Sequence, residues 1–296
     1  MNETAFPWRV TDVRDLPGDS AFLLDNGRIT ILCDTGYAFT GARVAQNIRR
    51  VLGDRPLDYI FLTHSHYDHA AGSPYIRGAY PGVTVAAGAY AAGIFAKPTA
   101  RAVMRDLDRK CAAAHGIFDY EDQIDALSAD LALSDGDEIP GTGFCAVSLP
   151  GHTRCSFGFY DAENRFLISP ETLGVLYGDN TYIPAYLVGY RMTLDAFARA
   201  KTFDIGTMLL PHRGLVDGIR AAEFLRCSEQ AARDTADYFL GLMRQGLSDD
   251  AILARYTDAV YTDDVQKTYP PDAFRLNSSI MIALVRREVF SAADNR

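Results

Sequence analysis

The chain has 296 residues, 48% of them apolar, which is ample for a deep core and excludes a disordered chain as the starting point. Its 38 acidic and 29 basic residues give a formal charge of −9 with no run of Lys or Arg, so nucleic acid is disfavoured as a partner. No stretch supplies the roughly 18 uncharged apolar residues of a membrane span. The amino terminus, Met1 to Trp8, has neither the basic nor the apolar region of a signal peptide. Five scattered cysteines (Cys33, Cys111, Cys145, Cys155 and Cys227) in no C-x-x-C pair suit a reducing compartment. The expectation is a cytoplasmic protein with a small-molecule partner.

In chain order, Ala21–Leu24 and Ile29–Leu32 flank Asp25-Asn26-Gly27 and read as a hairpin. Thr40 is placed to cap a helix carrying Val44, Ile48 and Val51 at helical spacing, with Gly53 just past its end. Asp58–Leu62 reads as a buried strand, as does Val83–Ala87. A helix follows from about Thr99 to Ala114, with Val103, Leu107 and Cys111 on its apolar face. Strands return near Cys145–Leu149, Phe157–Tyr160 and Arg165–Ser169, the last two around a polar turn at residues 161–164. The last third reads as helices, from about Ala221 to Arg244, from Ser248 with Asp249 and Asp250 in the first turn, and from about Asn277 to Val289. No repeat or linker divides the chain, so a single domain over 1–296 is expected, with a helical extension from about residue 218. Helices bracketing two sets of strands suggest a four-layer αββα sandwich more than a doubly wound sheet.

The chemistry is concentrated in Thr63-His64-Ser65-His66-Tyr67-Asp68-His69, directly after a strand. It holds half of the six histidines. In extended chain His64 and His66 point the same way, so both can reach one ion, while a turn beyond them would aim Asp68 and His69 at a second. Imidazole and carboxylate are donors for zinc, manganese or iron rather than for a soft thiolate-bound metal. A polar surface loop would account for one histidine; burying this whole set without a cation would be costly.

This H-x-H-x-D-H motif resembles the signature of the metallo-β-lactamase superfamily, and three further segments match in order over roughly residues 20–215. Leu149-Pro150-Gly151-His152-Thr153 resembles its P-G-H-T segment, which implies His152 as a ligand beside His64 and His66. Leu210-Pro211-His212 resembles its terminal histidine segment, which implies His212 as a ligand beside Asp68 and His69. Cys33-Asp34-Thr35-Gly36 resembles its D-T-G turn, which implies Asp34 as a group orienting a ligand. The resemblance implies the family's αββα fold, two divalent ions, most simply Zn with Fe or Mn as alternatives, and a hydrolase using a metal-bridged hydroxide. Asp68 would then orient the water and pass its proton to the leaving group.

One departure stands out. Where the family usually places a bridging aspartate, this chain has Ser169-Pro170-Glu171-Thr172, so Glu171 is the candidate, one methylene longer. Arg154 and Cys155 replace the usual Pro-Gly; Cys155 reads as a small hydrophobe rather than a ligand. His115 beside Gly116 reads as a helix-end residue, with substrate lining as the alternative. The segment 174–191, with four tyrosines, reads as a loop that could pack, wall a pocket or form a homo-oligomer contact, with Tyr182 and Tyr190 as candidate substrate-binding residues. An ester, lactone or thioester is the leading substrate class. A non-haem iron redox enzyme and a non-catalytic ligand-binding protein stay open as alternatives.

Overall fold

The structure, a computed structural model, describes residues 6–291. The chain divides into two compact units: residues up to 148 together with 155–169, and residues 149–154 together with 170 onward. Among the described residues no helix is long and apolar enough to cross a membrane.

The first unit contains β1 (Arg9–Asp12), β2 (Phe22–Asp25), β3 (Thr30–Cys33), α1 (Ala38–Leu52), β4 (Tyr59–Leu62), α2 (Tyr67–Ala70), α3 (Ser73–Ala79), β5 (Thr84–Gly88), α4 (Ala89–Phe95), α5 (Pro98–Ala114), β6 (Leu131–Leu133), β7 (Phe144–Ser148), β8 (Phe157–Asp161) and β9 (Phe166–Ile168). Strands β1 to β6 form one sheet in sequence order, antiparallel through β3 and parallel from β3 to β6. One face takes Val44, Ile48 and Leu52 of α1 against Leu32, Ile60 and Val85, all buried. The other face carries Phe61, stacked on Phe159 at a centroid distance of 4.5 Å and edge-on to Phe144 at 5.7 Å. The antiparallel β7–β8–β9 set thus packs on the sheet through aromatics. Each fully buried phenylalanine stabilises by about 1.5–3 kcal/mol relative to exposure.

The described part of the second unit contains β10 (Val175–Tyr177), β11 (Thr181–Ile183), α6 (Tyr190–Ala200), β12 (Thr207–Leu210), β13 (Gly214–Asp217), α7 (Gly218–Arg244), α8 (Asp249–Val260), α9 (Asp263–Gln266), α10 (Pro271–Val285) and a π-helical turn at Arg286–Phe290. From residue 218 its secondary structure is helical, and Ser248 caps α8 by accepting from the Ala251 amide.

Several sequence expectations need correction. Thr40 is not a cap: α1 begins at Ala38, and the buried Thr40 hydroxyl donates to Asp19 Oδ1 at 2.9 Å. The buried face of α5 is Met104, Asp108, Cys111 and Ala112, while Val103 is 59% exposed. A buried aspartate interrupts the apolar pattern, so hydrophobicity alone picked the wrong stripe. Segment 174–191 is largely the β10–β11 hairpin, turning at Gly178, with α6 opening at Tyr190. The last helix starts six residues earlier than Asn277, at Pro271, where the fixed proline φ suits a first turn.

Asp108 anchors α5 to the start of α1: Oδ1 accepts from the Ala38 amide at 2.8 Å and Oδ2 from the Tyr120 hydroxyl at 2.6 Å. Burial raises its pKa from 3.8 to about 6, against the lowering effect of those hydrogen bonds. Because the folded value exceeds the unfolded one, this group's stabilisation is full below about pH 4 and is lost as pH rises through 6. Urea unfolding of the wild type and Asp108→Asn at pH 4 and pH 7 checks this. The variant should gain up to about 3 kcal/mol relative to the wild type over that interval. A pH-independent difference would contradict it.

Gly72, two residues after α2, tests how tightly the motif segment is seated. A Cβ there would lie 2.1 Å from the Thr35 carbonyl oxygen, a backbone atom that cannot swing away. Gly72→Ala should therefore destabilise by about 3 kcal/mol, read as a lower denaturation midpoint.

Candidate metal centre

In the first unit the motif begins where β4 ends. Extended backbone at His66 leads directly into α2, so Asp68 and His69 fall in its single turn. The His64 and His66 rings lie 4.6 Å apart, as alternation in an extended chain requires, and the His64 and His69 rings 4.1 Å apart. Asp68 Oδ2 is 3.5 Å from His69 Nε2. His64 and His69 are fully buried, and Asp68 is 20% exposed.

Asp34 sits beneath this set in a left-handed conformation, φ 56°. Its carboxylate accepts from the Thr63 amide at 2.9 Å and the Ser20 hydroxyl at 3.0 Å, and meets His69 Nδ1 at 2.8 Å. The Thr63 hydroxyl donates to Asp34 at 3.0 Å and lies 3.1 Å from His64 Nδ1. A carboxylate can only accept, so His69 Nδ1 carries a proton. The Thr63 hydroxyl spends its one proton on Asp34, so His64 Nδ1 must donate to it. One buried carboxylate thereby fixes a proton on Nδ1 of both histidines and directs both Nε2 atoms away from itself. Asp34 is legible in the sequence; Ser20 and Thr63 were missed as site residues. Thr63 adjoins the motif and could have been suspected, whereas Ser20 arrives only through the pairing of β2 with β3.

Tyr37 and Cys111 border the same region. Burial first, and then the Asp68 carboxylate, pushes the Tyr37 hydroxyl well above its ordinary pKa. Burial likewise raises the Cys111 thiol to about 12, so both stay neutral. Cys155 is buried in the apolar cluster with its thiol 3.2 Å from the Ser65 hydroxyl, as expected of a small hydrophobe. His115 closes α5 with Nδ1 2.9 Å from the Cys111 carbonyl.

In the second unit, His152 follows Gly151, whose φ of 148° no side chain adopts readily. A Cβ at Gly151 would lie 2.9 Å from the Cα of Thr193. His152 Nδ1 is 2.8 Å from the Ala185 carbonyl, so it donates there and turns its Nε2 toward Glu171. Glu171 opens a 3₁₀ turn after Pro170. Its Oε2 is 2.8 Å from His152 Nε2 and its Oε1 is 3.2 Å from His212 Nε2. His212 occupies the tight turn between β12 and β13 in the left-handed region, φ 58°.

The donor set fits metal ions. At His152 a neutral ring would set a nitrogen lone pair against a carboxylate oxygen, a contact that a metal ion or a proton between them relieves. Ligand atoms of an ion bound tetrahedrally at about 2.0–2.1 Å lie about 3.3 Å apart, close to the spacing around Glu171. Two of the three non-glycine residues with positive φ among those described, Asp34 and His212, belong to the candidate set. Such strain persists where the surroundings over-determine it. Tyr182 lies on β11 with its ring 6.2 Å from that of Phe224, and Tyr190 opens α6 with its ring 5.3 Å from that of Tyr186.

The family model for the metallo-β-lactamase superfamily matches residues 15–212. Hydroxyacylglutathione hydrolase of Stenotrophomonas maltophilia is 27% identical over 146 residues, covering 49% of this chain and 42% of that protein. The chain thus matches less than half the length of that curated relative. Among solved structures, a metallo-β-lactamase superfamily protein of Sulfolobus tokodaii superposes with a TM-score of 0.60 at 15% identity, covering 96% of this chain and 100% of that one. A metallo-β-lactamase family protein of Thermus thermophilus gives 0.60 at 18% identity over 90% and 88%. A β-lactamase domain protein of Burkholderia ambifaria gives 0.61 at 18% over 92% and 81%. These likenesses show the fold, the mixed α/β architecture expected from the sequence with its helical carboxy-terminal region. With the family model matched through every segment that carries a candidate ligand, the chain belongs to the metallo-β-lactamase superfamily.

Proposed function

We propose that the protein is a metal-dependent hydrolase binding two divalent ions, with His64, His66, Asp68 and His69 of the first unit and His152, Glu171 and His212 of the second as the candidate ligands. The observation that carries this reading is Glu171, which turns one carboxylate oxygen toward each of two histidines at 2.8 and 3.2 Å. Family membership across residues 15–212 supports it. Bound divalent ions supply Lewis acidity toward a carbonyl oxygen and lower the pKa of coordinated water. Zinc suits the imidazole and carboxylate donors, as do iron and manganese.

The chain's own residues do the rest. Asp34 holds His69 directly and His64 through Thr63 with their Nε2 atoms outward, and Ala185 does the same for His152. To Asp68, partly exposed and 3.5 Å from His69 Nε2, we assign the role of holding a proton and returning it to a leaving group. Tyr182 and Tyr190 stand as candidates for substrate contact.

The substrate class we favour is a carboxylic ester, lactone or thioester. The name of the Stenotrophomonas relative describes hydrolysis of an acyl-glutathione, which is the acyl transfer to water proposed for this chain. A panel of aryl esters, acyl thioesters and lactones, assayed before and after chelation and again after metal is restored, tests the proposal. Hydrolysis of one class, lost with the metal and recovered with it, is expected. Hydrolysis that survives chelation, or none across the panel in metal-loaded protein, would contradict it.

A further inference from the structure

The carboxylate of Glu288 lies far along the chain from every residue assigned above, yet it is tied to the seat of His152. Its Oε2 accepts from the Arg191 amide at 3.1 Å, at the second position of α6, and its backbone carbonyl accepts from the Arg191 guanidinium at 3.0 Å. A carboxylate on an exposed first-turn amide both satisfies that donor and opposes the helix dipole. The residue before α6, Gly189, accepts at its carbonyl from the Thr193 amide and hydroxyl.

That same first turn shapes the backbone of His152. Thr193 fills the space beside Gly151 so closely that no side chain fits there. The amides of Leu187 and Val188 both donate to the Gly151 carbonyl, at 3.1 and 2.9 Å, and the Ala185 carbonyl takes the His152 Nδ1 proton at 2.8 Å. Segment 185–193 therefore holds His152 by its backbone and by its ring together. Tyr186, at the centre of that segment, is fully buried. The first turn of α6 and the seat of His152 are thus joined through Thr193, Leu187 and Val188 at Gly151.

We infer that Glu288 is a positioning residue for His152: by capping α6 from the carboxy-terminal π-helical turn, it fixes the segment that sets the histidine's ring orientation. The inference rests on the reading of His152 as a metal ligand, but its structural half does not. The helical carboxy-terminal region then has a role in the metal centre although it supplies no ligand.

The test uses full-length protein. Glu288→Ala removes the cap, Glu288→Gln keeps an uncharged acceptor, and Arg286→Ala breaks the pairing of the same turn with Asp249 on α8 without touching α6. The His152 Nδ1–H resonance is followed in metal-stripped protein, and Co²⁺ affinity is measured by titration. Groups bonded directly to a ligand are worth about 10–100-fold in metal affinity. Acting one layer further out, Glu288→Ala should weaken the tighter Co²⁺ site by about tenfold and shift or broaden the resonance. Glu288→Gln should stay within about threefold and Arg286→Ala should match the wild type.

In turnover the loss should fall on kcat with KM little changed, because the ring's orientation alters and no substrate contact is removed. An unmoved resonance with unchanged affinity in Glu288→Ala, or an equal effect from Arg286→Ala, would overturn the inference. If Glu288→Ala does not fold, Glu288→Asp, which keeps the charge but withdraws it from the Arg191 amide, decides by the same two readouts. A wild type that takes up no Co²⁺ would sink the metal reading instead, and the resonance of the stripped variants would still decide the positioning role.

Discussion

Glu171→Ala is expected to lower hydrolysis by about a thousandfold while leaving the circular dichroism spectrum unchanged. The carboxylate faces His152 and His212 at 2.8 and 3.2 Å, so its loss removes a donor from both proposed ions at once. Weakened metal assistance forfeits several kcal/mol of transition-state stabilisation, and about 4 kcal/mol corresponds to about a thousandfold in rate. Glu171→Asp separates reach from charge. Its carboxylate retreats by one methylene, and a misplacement of about 1 Å in a catalytic array costs about a hundredfold. An Asp variant as active as the wild type would mean that the glutamate's length is immaterial. An active Ala variant would mean that Glu171 is no ligand.

The contrast between Glu171 and its neighbours shows how much of the site could be read in advance. The histidines and Asp68 were legible because metal ligation demands particular residue types at close spacing after a strand, and the motif packs four of them into six positions. Glu171 was legible only as the sole acidic residue at the right strand end. The orientation of its two oxygens depends on the 3₁₀ turn that Pro170 introduces. Ser20, Thr63 and the Ala185 carbonyl had no signal of their own, since hydroxyls and backbone carbonyls are everywhere and only folding makes these three special.

The fold shows the same division. Strands β2 to β5 were recognised because runs such as Tyr59–Leu62 are apolar and bounded by polar turns. The buried face of α5 was misread because Asp108 is held by tertiary partners, the Ala38 amide and Tyr120, that local periodicity does not reveal. The β10–β11 hairpin was taken for a loop because its strands are three residues each and rich in glycine nearby, too short for alternation to register. The short helices α2 and α3 were passed over for a different reason. Their sequence is dominated by the motif and by glycines, and tertiary seating at Gly72 overrides weak propensity.

The second large effect is expected at Asp34. Asp34→Ala leaves the Ser20 hydroxyl, the Thr63 amide and His69 Nδ1 without their shared acceptor, in a region where all four residues are buried. Each stranded donor costs about 1–3 kcal/mol, and alanine adds strain at a φ of 56°. A total of about 4–6 kcal/mol is a large fraction of the stability of an ordinary domain, so this variant should be expressed poorly or unfold well below the wild type. Asp34→Asn is the informative change, because asparagine tolerates the left-handed region and keeps one acceptor. Its amide nitrogen must face either the Thr63 donors or His69 Nδ1. The fold should survive while metal affinity falls by about 10–100-fold. Thermal unfolding with a parallel metal titration checks both variants. Unchanged affinity in a folded Asp34→Asn would show that the histidine tautomers are set by something else.

Elemental analysis of the purified wild-type chain alongside His66→Ala decides whether the protein is a two-ion hydrolase. The wild type should hold about two zinc, manganese or iron ions per chain. His66→Ala, which removes one imidazole of the His64–His66 pair, should hold about one. A wild type that binds no metal, or one whose content is indifferent to His66, would contradict it.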